Sequence, residues 1–279
     1  VLSWWLGRRT RSMALATRRL TEGDYSVRLR ERGHDELSRL AHDFNVLAET
    51  LEANRLARQR WVADIAHELR TPLAVLHGEI EAMQDGIRPL DTDSLNSLAQ
   101  EVGQLERLVK DLRLLAQSDA GVLEVHLETL DLADALRVRL EDARGWLHDD
   151  GIEMELDIAA PVLMRGDPQR LRQLWDNLLA NTRAYTDSPG RLRVSLSKVQ
   201  GQACIVWEDS APGVDDAALP RLTERLYRVD ASRNRRRGGS GLGLSIAMAL
   251  VQSHGGDMRV SHSPLGGLRW TLCFPLLEE

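Results

Sequence analysis

His67 and Glu68 stand side by side where an imidazole can reach solvent. An apolar stripe at Val62, Ile65, Leu69, Leu73, Leu76 and Ile80 predicts a helix through them. At about 100° per residue that stripe puts His67 roughly 160–200° from Ile65 and Leu69, on the polar side. A neutral imidazole, with an ordinary pKa of about 6.5, can act as a nucleophile, and a neighbouring carboxylate can take up the ring proton. Thr71, one helical turn later and just before Pro72, shares the His67 face. Taken alone, the pair is better read as an ordinary surface histidine on a bundle helix.

A second set of chemistry-bearing residues begins about 100 residues further on. A helix predicted over 168–185 has Leu171, Leu174 and Leu178 as its core stripe and stacks Gln173, Asn177 and Asn181 along one edge. Mg²⁺ takes oxygen ligands and keeps several waters beside nucleotide phosphates, so a neutral amide oxygen can complete its shell. Asp209 sits where a strand runs into the Ser210-Ala211-Pro212-Gly213 turn, placed to accept a hydrogen bond from an exocyclic amine such as that of adenine. Gly238, Gly239, Gly241 and Gly243 follow an arginine-rich loop (Arg233, Arg235, Arg236, Arg237) and open another helix. Glycines before a helix start let backbone N–H groups close on phosphate, and the helix dipole favours the anion. The pattern is neither a Rossmann G-x-G-x-x-G nor a Walker loop. Individually these features also fit a solvated helix edge, a turn-capping aspartate and a flexible glycine loop.

The elements that must position them follow from periodicity. Residues 8–30 read as a helix ending near Gly23-Asp24, then an extended segment Ser26 to Leu29. From Asp35 a second helix carries a coiled-coil seam of Leu37, Leu40, Phe44, Leu47 and Leu51. Polar Asn54 and Arg58 interrupt the seam before Trp61 and Ile65 resume it, and polar seam positions fix register. Pro72 should kink the His67 helix, which is expected to end near Asp85-Gly86. Asp91 to Ser94 offers N-cap residues for a helix with its own seam at Leu95, Leu98, Val102, Leu105, Val109 and Leu112. A lone hairpin of two such helices cannot bury both faces, so a dimeric four-helix bundle is expected. Beyond about Ser118 the pattern turns to strands at Val122 to Leu127, Ile152 to Ile158, Leu192 to Val199, Ala203 to Glu208 and Leu268 to Phe274. Helices are expected near 132–148, 168–185 and 242–254. That order predicts an α/β sandwich with helices on one face of a mostly antiparallel sheet.

At 279 residues the chain suggests two or three modules, and its net charge of −6, with scattered arginines, argues against a nucleic-acid partner. Cys204 and Cys273 each fall in an apolar, β-branched run and read as core thiols of a reducing compartment. Trp4 and Trp5 followed by Arg8, Arg9 and Arg11 resemble the cytoplasmic end of a membrane helix, although a soluble helix with two chance tryptophans fits as well.

In this order, the residues resemble the sensor histidine kinases. His67 to Pro72 matches the family's H box, Asn177-Leu178-Leu179-Ala180-Asn181 its N box, Asp209 to Gly213 its G1 box and Gly239 to Gly243 its G2 box. Residues 8–60 look like a HAMP linker, and the wording of residues 61–76 and of the G1 box is most like the BaeS-type envelope-stress sensors. The resemblance implies four segments: the end of a transmembrane helix (1–7), the HAMP linker (8–60), a dimerisation and histidine phosphotransfer domain (61–117) and a Bergerat-type catalytic ATP-binding domain (118–279). It implies His67 as phosphoacceptor, Glu68 as general base and Thr71 as the residue that positions water for dephosphorylating a partner. ATP would be held by Asn177, Asn181, Asp209, Gly213, Tyr227, Gly239, Gly241, Leu242, Gly243 and Leu244, with Asn181 the main Mg²⁺ ligand and Asn177 supporting it. The implied partners are a second copy of the chain, the receiver domain of a response regulator, and a bacterial inner membrane reached through preceding transmembrane segments, with this stretch facing the cytoplasm.

Several positions depart from the family pattern. Ala184 replaces a usual basic residue, the F box Leu222-Thr223-Glu224-Arg225-Leu226-Tyr227-Arg228 lacks phenylalanine, Ala211 replaces a glycine, and no HAMP proline lies near Arg9. Two rivals stand beside the kinase: a gyrase- or MutL-type ATPase, against which the His67 hairpin and HAMP segment argue, and a degenerate kinase serving mainly as phosphatase or dimeric scaffold.

Overall fold

The computed structural model describes residues 2–31, 35–158, 161–229 and 240–277, with residues 2–6 by backbone alone. Their packing divides into two compact units, 1–73 and 74–279. No helix among the described residues is long and apolar enough to cross a membrane.

The first unit is built on helix α1 (Leu2–Thr21) and the N-terminal part of α2 (Glu36–Gln84). Residues three, four and seven apart meet on one face of a helix, and here Ala16 and Leu20 of α1 and Ala48 of α2 close on Val27 of the connector. Tyr25, Leu29, Phe44 and Leu51 pack around this small core. Asn45 holds the connector from α2: its Oδ1 accepts the Leu29 N–H at 2.7 Å and its Nδ2 donates to the Leu29 carbonyl at 2.9 Å. Arg9 ties α1 to the start of α2, donating to Asp35 at 2.7 Å and to the Ser38 hydroxyl at 3.1 Å.

Helix α2 continues for 49 residues and passes through Pro72 without ending. A proline inside a helix removes one N–H and clashes with the carbonyl four residues back, which kinks or breaks the helix; here the helix is not broken. After the loop at 85–91, α3 (Thr92–Asp119) begins at an Asp91 N-cap whose carboxylate accepts the Ser94 N–H. Arg88 closes that loop, donating to Glu79 of α2 at 2.7 Å and to the Ser94 hydroxyl at 3.1 Å, while Ser97 donates to the same Glu79 oxygen. Val62, Leu73, Ile80, Leu95, Val102 and Val109 remain exposed on the single chain.

The second unit holds a five-stranded sheet in the order β2 (Ile152–Asp157), β4 (Gly190–Val199), β5 (Gln202–Ser210), β7 (Gly266–Pro275), β6 (Asp257–His262). Only β2 and β4 run parallel; every other pairing is antiparallel. β1 (Glu128–Asp131) and β3 (Leu163–Gly166) form a separate antiparallel pair. α4 (Leu132–Asp149), α5 (Pro168–Tyr185) and α6 (Gly243–Ser253) cover one face of the large sheet. Leu136 and Leu140 of α4, Leu174 and Leu178 of α5 and Leu250 of α6 are buried with Val194, Ile205, Trp207, Trp270 and Leu272 of the sheet. The other face is polar, with cross-strand pairs Arg193–Glu155 and Arg269–Glu208. α3 packs on α6, and α3 with residues 74–84 of α2 belongs to this unit, so the division falls inside α2.

Three expectations are corrected. Residues 122–127 form no strand; the His126 N–H is taken by the Asp167 carboxylate at 3.0 Å, and the strand starts only at Glu128, where β3 offers a partner. β3 and β6, short or on the sheet edge, went unread. Cys204 and Cys273 are not free thiols: they face each other across β5 and β7 with Cα atoms 4.2 Å apart and form a disulfide.

Candidate functional site

His67 and Thr71 are exposed on α2, and Glu68 between them is half-buried. The Thr71 hydroxyl donates to the His67 carbonyl at 3.4 Å, so the two share one helical turn as the spacing requires.

The other predicted residues that the structure describes belong to the second unit, on α5, at the start of α6, at the end of β5 and in the segments next to them. α5 starts at Asp167, a buried N-cap whose Oδ1 accepts the Gln169 and Arg170 N–H groups. Burial alone would push that carboxyl up; the backbone N–H groups of His126, Arg170 and Gln169 outweigh it and hold it below its ordinary value. From this start the helix leaves Gln173, Asn177 and Asn181 half-buried along one edge. Asn177 spends its amide nitrogen on the Gln173 carbonyl at 3.0 Å. Its oxygen faces the first residue of α6, lying 3.3 Å from where a Cβ on Gly243 would sit. Among the described residues no side chain caps the start of α6, and its first turn holds no acidic residue. That leaves N–H groups and the positive end of the dipole for an anion.

Gly241, at φ +72°, turns the chain into α6 in the left-handed region that favours glycine. Its carbonyl accepts the Leu226 N–H at 3.0 Å, tying the F-box segment to the glycine turn. Leu226 itself has φ +59°, rare for a branched side chain and a sign of a backbone held by its surroundings. Tyr227 lies under the Arg221 guanidinium at 4.2 Å, and Arg225 makes a two-pronged ion pair with Asp119 at the end of α3. In the described part of this segment polar ties stand where the family pattern has phenylalanines. Leu242 is buried and Leu244 half-buried beside Gly243. Gly239, with Gly238 and the arginines of 233–237, lies outside the described residues.

Asp209 stands at the end of β5, where the pairing with β7 shifts between Glu208 and Ser210. The extra residue of this bulge is on β7, where Gly267 and Leu268 stand opposite Asp209 alone. The Asp209 carboxylate is buried and accepts the Leu268 N–H at 2.6 Å. Burial pushes its pKa up to about 7, against the lowering by that one hydrogen bond. The close approach depends on Gly267, where an added Cβ would lie 2.2 Å from Asp209 Oδ1 and 2.4 Å from the Ser210 carbonyl. A Cβ added to Gly213 would lie 3.1 Å from the Gly266 carbonyl.

Gly267 and Asp167 were not singled out from sequence; the only signal was a glycine pair opening a strand and a Pro168 following an aspartate. At the position expected to lack a phosphate contact, Arg183 does not substitute for Ala184. It donates to Asp150 at 2.5 Å and stacks over Trp146 at 5.2 Å, toward α4. A groove of about 680 Å³ between α4 and β2 is a rival site by size, but its Arg144 is already committed to Glu141 and the Met154 carbonyl.

Residues 166–278 match the family of histidine kinase-, DNA gyrase B- and HSP90-like ATPases, residues 57–121 the His kinase A phospho-acceptor domain, and residues 1–53 the HAMP domain. The signal transduction histidine-protein kinase BaeS of Escherichia coli K12 is 44% identical over 263 residues, 94% of this chain and 56% of that protein. AfsQ2 of Streptomyces coelicolor is 35% identical over 94% of this chain and 51% of its own length. The chain thus spans about half the length of these curated relatives. Among solved structures, histidine kinase AdeS of Acinetobacter baumannii superposes with a TM-score of 0.64 at 25% identity, over 76% of this chain and 98% of that one.

Proposed function

The chain belongs to the HAMP-containing sensor histidine kinases, and from that premise we propose that it moves the γ-phosphoryl group of ATP to His67 and then to an aspartate of a response regulator. The observation that carries the reading is the meeting of the amide edge of α5 with the start of α6 and the glycine turn at 241, together with a buried carboxylate at the end of β5, the strand whose Trp207 bonds to Thr182 of α5. This arrangement fits a nucleotide. The α6 N–H groups and Gly241 to Leu244 suit the phosphates. The Asp209 carboxylate suits the adenine amine, with Gly213 and Tyr227 at its borders. Mg²⁺, held by Asn181 with Asn177 in support, would neutralise phosphate charge.

In the transfer, an imidazole nitrogen of His67 bonds to the γ-phosphorus as the bond to the β–γ bridging oxygen breaks and ADP leaves. Glu68 takes the proton from the other ring nitrogen. The protein's part is positioning and charge stabilisation, which dominate phosphoryl transfer. Thr71 orients the water that later dephosphorylates the regulator. A second copy of the chain would cover the exposed apolar residues of α2 and α3, and segments preceding residue 1 would anchor the whole in a bacterial inner membrane.

Incubation with γ-labelled ATP and Mg²⁺ tests this. Acid-labile, alkali-stable label should appear on the wild type and be absent from His67→Gln and Asn181→Ala. Label that persists in His67→Gln overturns the assignment. Absence of label from every variant, with ADP still bound, turns the reading to a degenerate kinase. Thr71→Ala should keep the label and slow regulator dephosphorylation, and an unchanged decay rate removes Thr71 from that role.

A further inference from the structure

The proposed nucleotide site has two halves on different elements: Asn181 on α5 and Asp209 at the end of β5. Apolar packing presses α5 onto the sheet, but it is non-directional and leaves the helix free to adjust along its axis. Hydrogen bonds fix length and direction. One such bond lies between the halves. The Trp207 indole Nε1 donates to the Thr182 hydroxyl at 3.0 Å, with Thr182 wholly buried and Trp207 1% exposed. Thr182 is the residue after Asn181. Trp207 lies two before Asp209, on the same face of β5, opposite Val194 and Trp270.

This bond is not simply the cost of burying an indole. Trp175 and Trp270 are as deeply buried, and neither indole N–H has a partner among the described residues. The core accepts unpaired indoles there, yet supplies a hydroxyl at the one beside both halves of the site. We infer that Thr182 and Trp207 are positioning residues that set the amide edge of α5 at a fixed place over β5, so that a metal–nucleotide complex meets Asn181 and Asp209 together. The inference rests on the nucleotide reading proposed above. Reacting groups must be held to within about an ångström, so a small slip of α5 weakens the metal-bound complex more than the bare nucleotide.

The test measures ADP affinity of the full chain by calorimetry, with Mg²⁺ and with chelator, for the wild type, Thr182→Ser, Thr182→Val, Trp207→Phe and the Thr182→Val/Trp207→Phe pair. Thr182→Ser keeps the acceptor and should stay within about twofold of wild type. Thr182→Val and Trp207→Phe should lose about tenfold or more with Mg²⁺ and clearly less without it. In Thr182→Val the indole N–H is orphaned, which can destabilise the fold on its own; the double variant removes both partners and that penalty. It should therefore recover thermal stability while keeping the lowered Mg²⁺ dependence. Wild-type Mg²⁺ dependence in the valine variant, or recovered affinity in the double variant, overturns the inference even if melting temperatures fall. If the wild type itself shows no ADP binding that Asp209→Asn and Asn181→Ala weaken, the nucleotide reading has failed, and this inference with it.

Discussion

Asp209 shows how much chemistry a single buried carboxyl can carry. With its pKa raised to about 7 by burial, it changes charge in the range where cells operate. In the role proposed for it, acceptor for an adenine amine, the ionised carboxylate accepts more strongly than the neutral acid, so nucleotide affinity should fall as pH drops from 8 to 6. Below about 7 the loss is at most about tenfold per pH unit, the limit set by one proton. Titration calorimetry at pH 6, 7 and 8 checks this, and a flat profile for the wild type refutes it. Stability runs the other way. Between the ordinary carboxyl value of 3.8 and about 7, the folded chain keeps a proton that the unfolded chain has released. This group's contribution therefore declines as pH rises through that window. Gly267 makes the burial possible, and Gly267→Ala should cost on the order of 1–3 kcal/mol by overpacking and abolish ADP binding, as denaturant melts and calorimetry would show. His67, the amides and Asp209 were legible from residue type and spacing because each belongs to a local motif. Gly267 was not, since its importance comes from a strand 58 positions away in sequence.

At the scale of elements, capping decides where α5 begins and hence where its amides point. Asp167 serves three backbone donors, those of Gln169, Arg170 and His126. Asp167→Ala should cost about 2 kcal/mol, the upper end of N-cap losses, because buried donors are left unpaired. Its carboxyl is held below the ordinary value, so this stabilisation is present at neutral pH and lost as pH falls through the lowered value. Urea melts of wild type and variant at pH 7 and pH 3 check both statements; equal stability at pH 7 refutes the first. The three helices of the sandwich were legible from their apolar periodicity, whereas the Asp131 and Asp167 caps that set the starts of two of them were not singled out. Val122 to Leu127 misled because alternation records a two-sided surface, while a strand also needs a partner. β6 escaped because its outward residues Asp257, Arg259 and Ser261 are polar on an exposed edge.

Across the whole molecule, the two units are held by different means. The smaller depends on a few apolar contacts and the Asn45 clasp, whereas the larger carries a covalent link between β5 and β7. The cysteines are 69 positions apart. Closing a loop of that size removes unfolded-chain entropy worth about 4 kcal/mol. Reduction, or Cys204→Ser, should lower the melting temperature of the larger unit and leave that of residues 1–73 unchanged; equal melting with and without reductant refutes this. Sequence could not pair these cysteines, because their opposition exists only once β7 returns beside β5. The unbroken helix from Glu36 to Gln84 has a consequence of its own. With no joint between the Ala48 contact and His67, the azimuth of the histidine is arithmetic in residue number. One residue inserted at 54–60 swings it by about 100°, and seven bring it back to within about 20°. Labelling of His67 across an insertion series should therefore rise and fall like a vernier, with the heptad restoring what a single residue destroys.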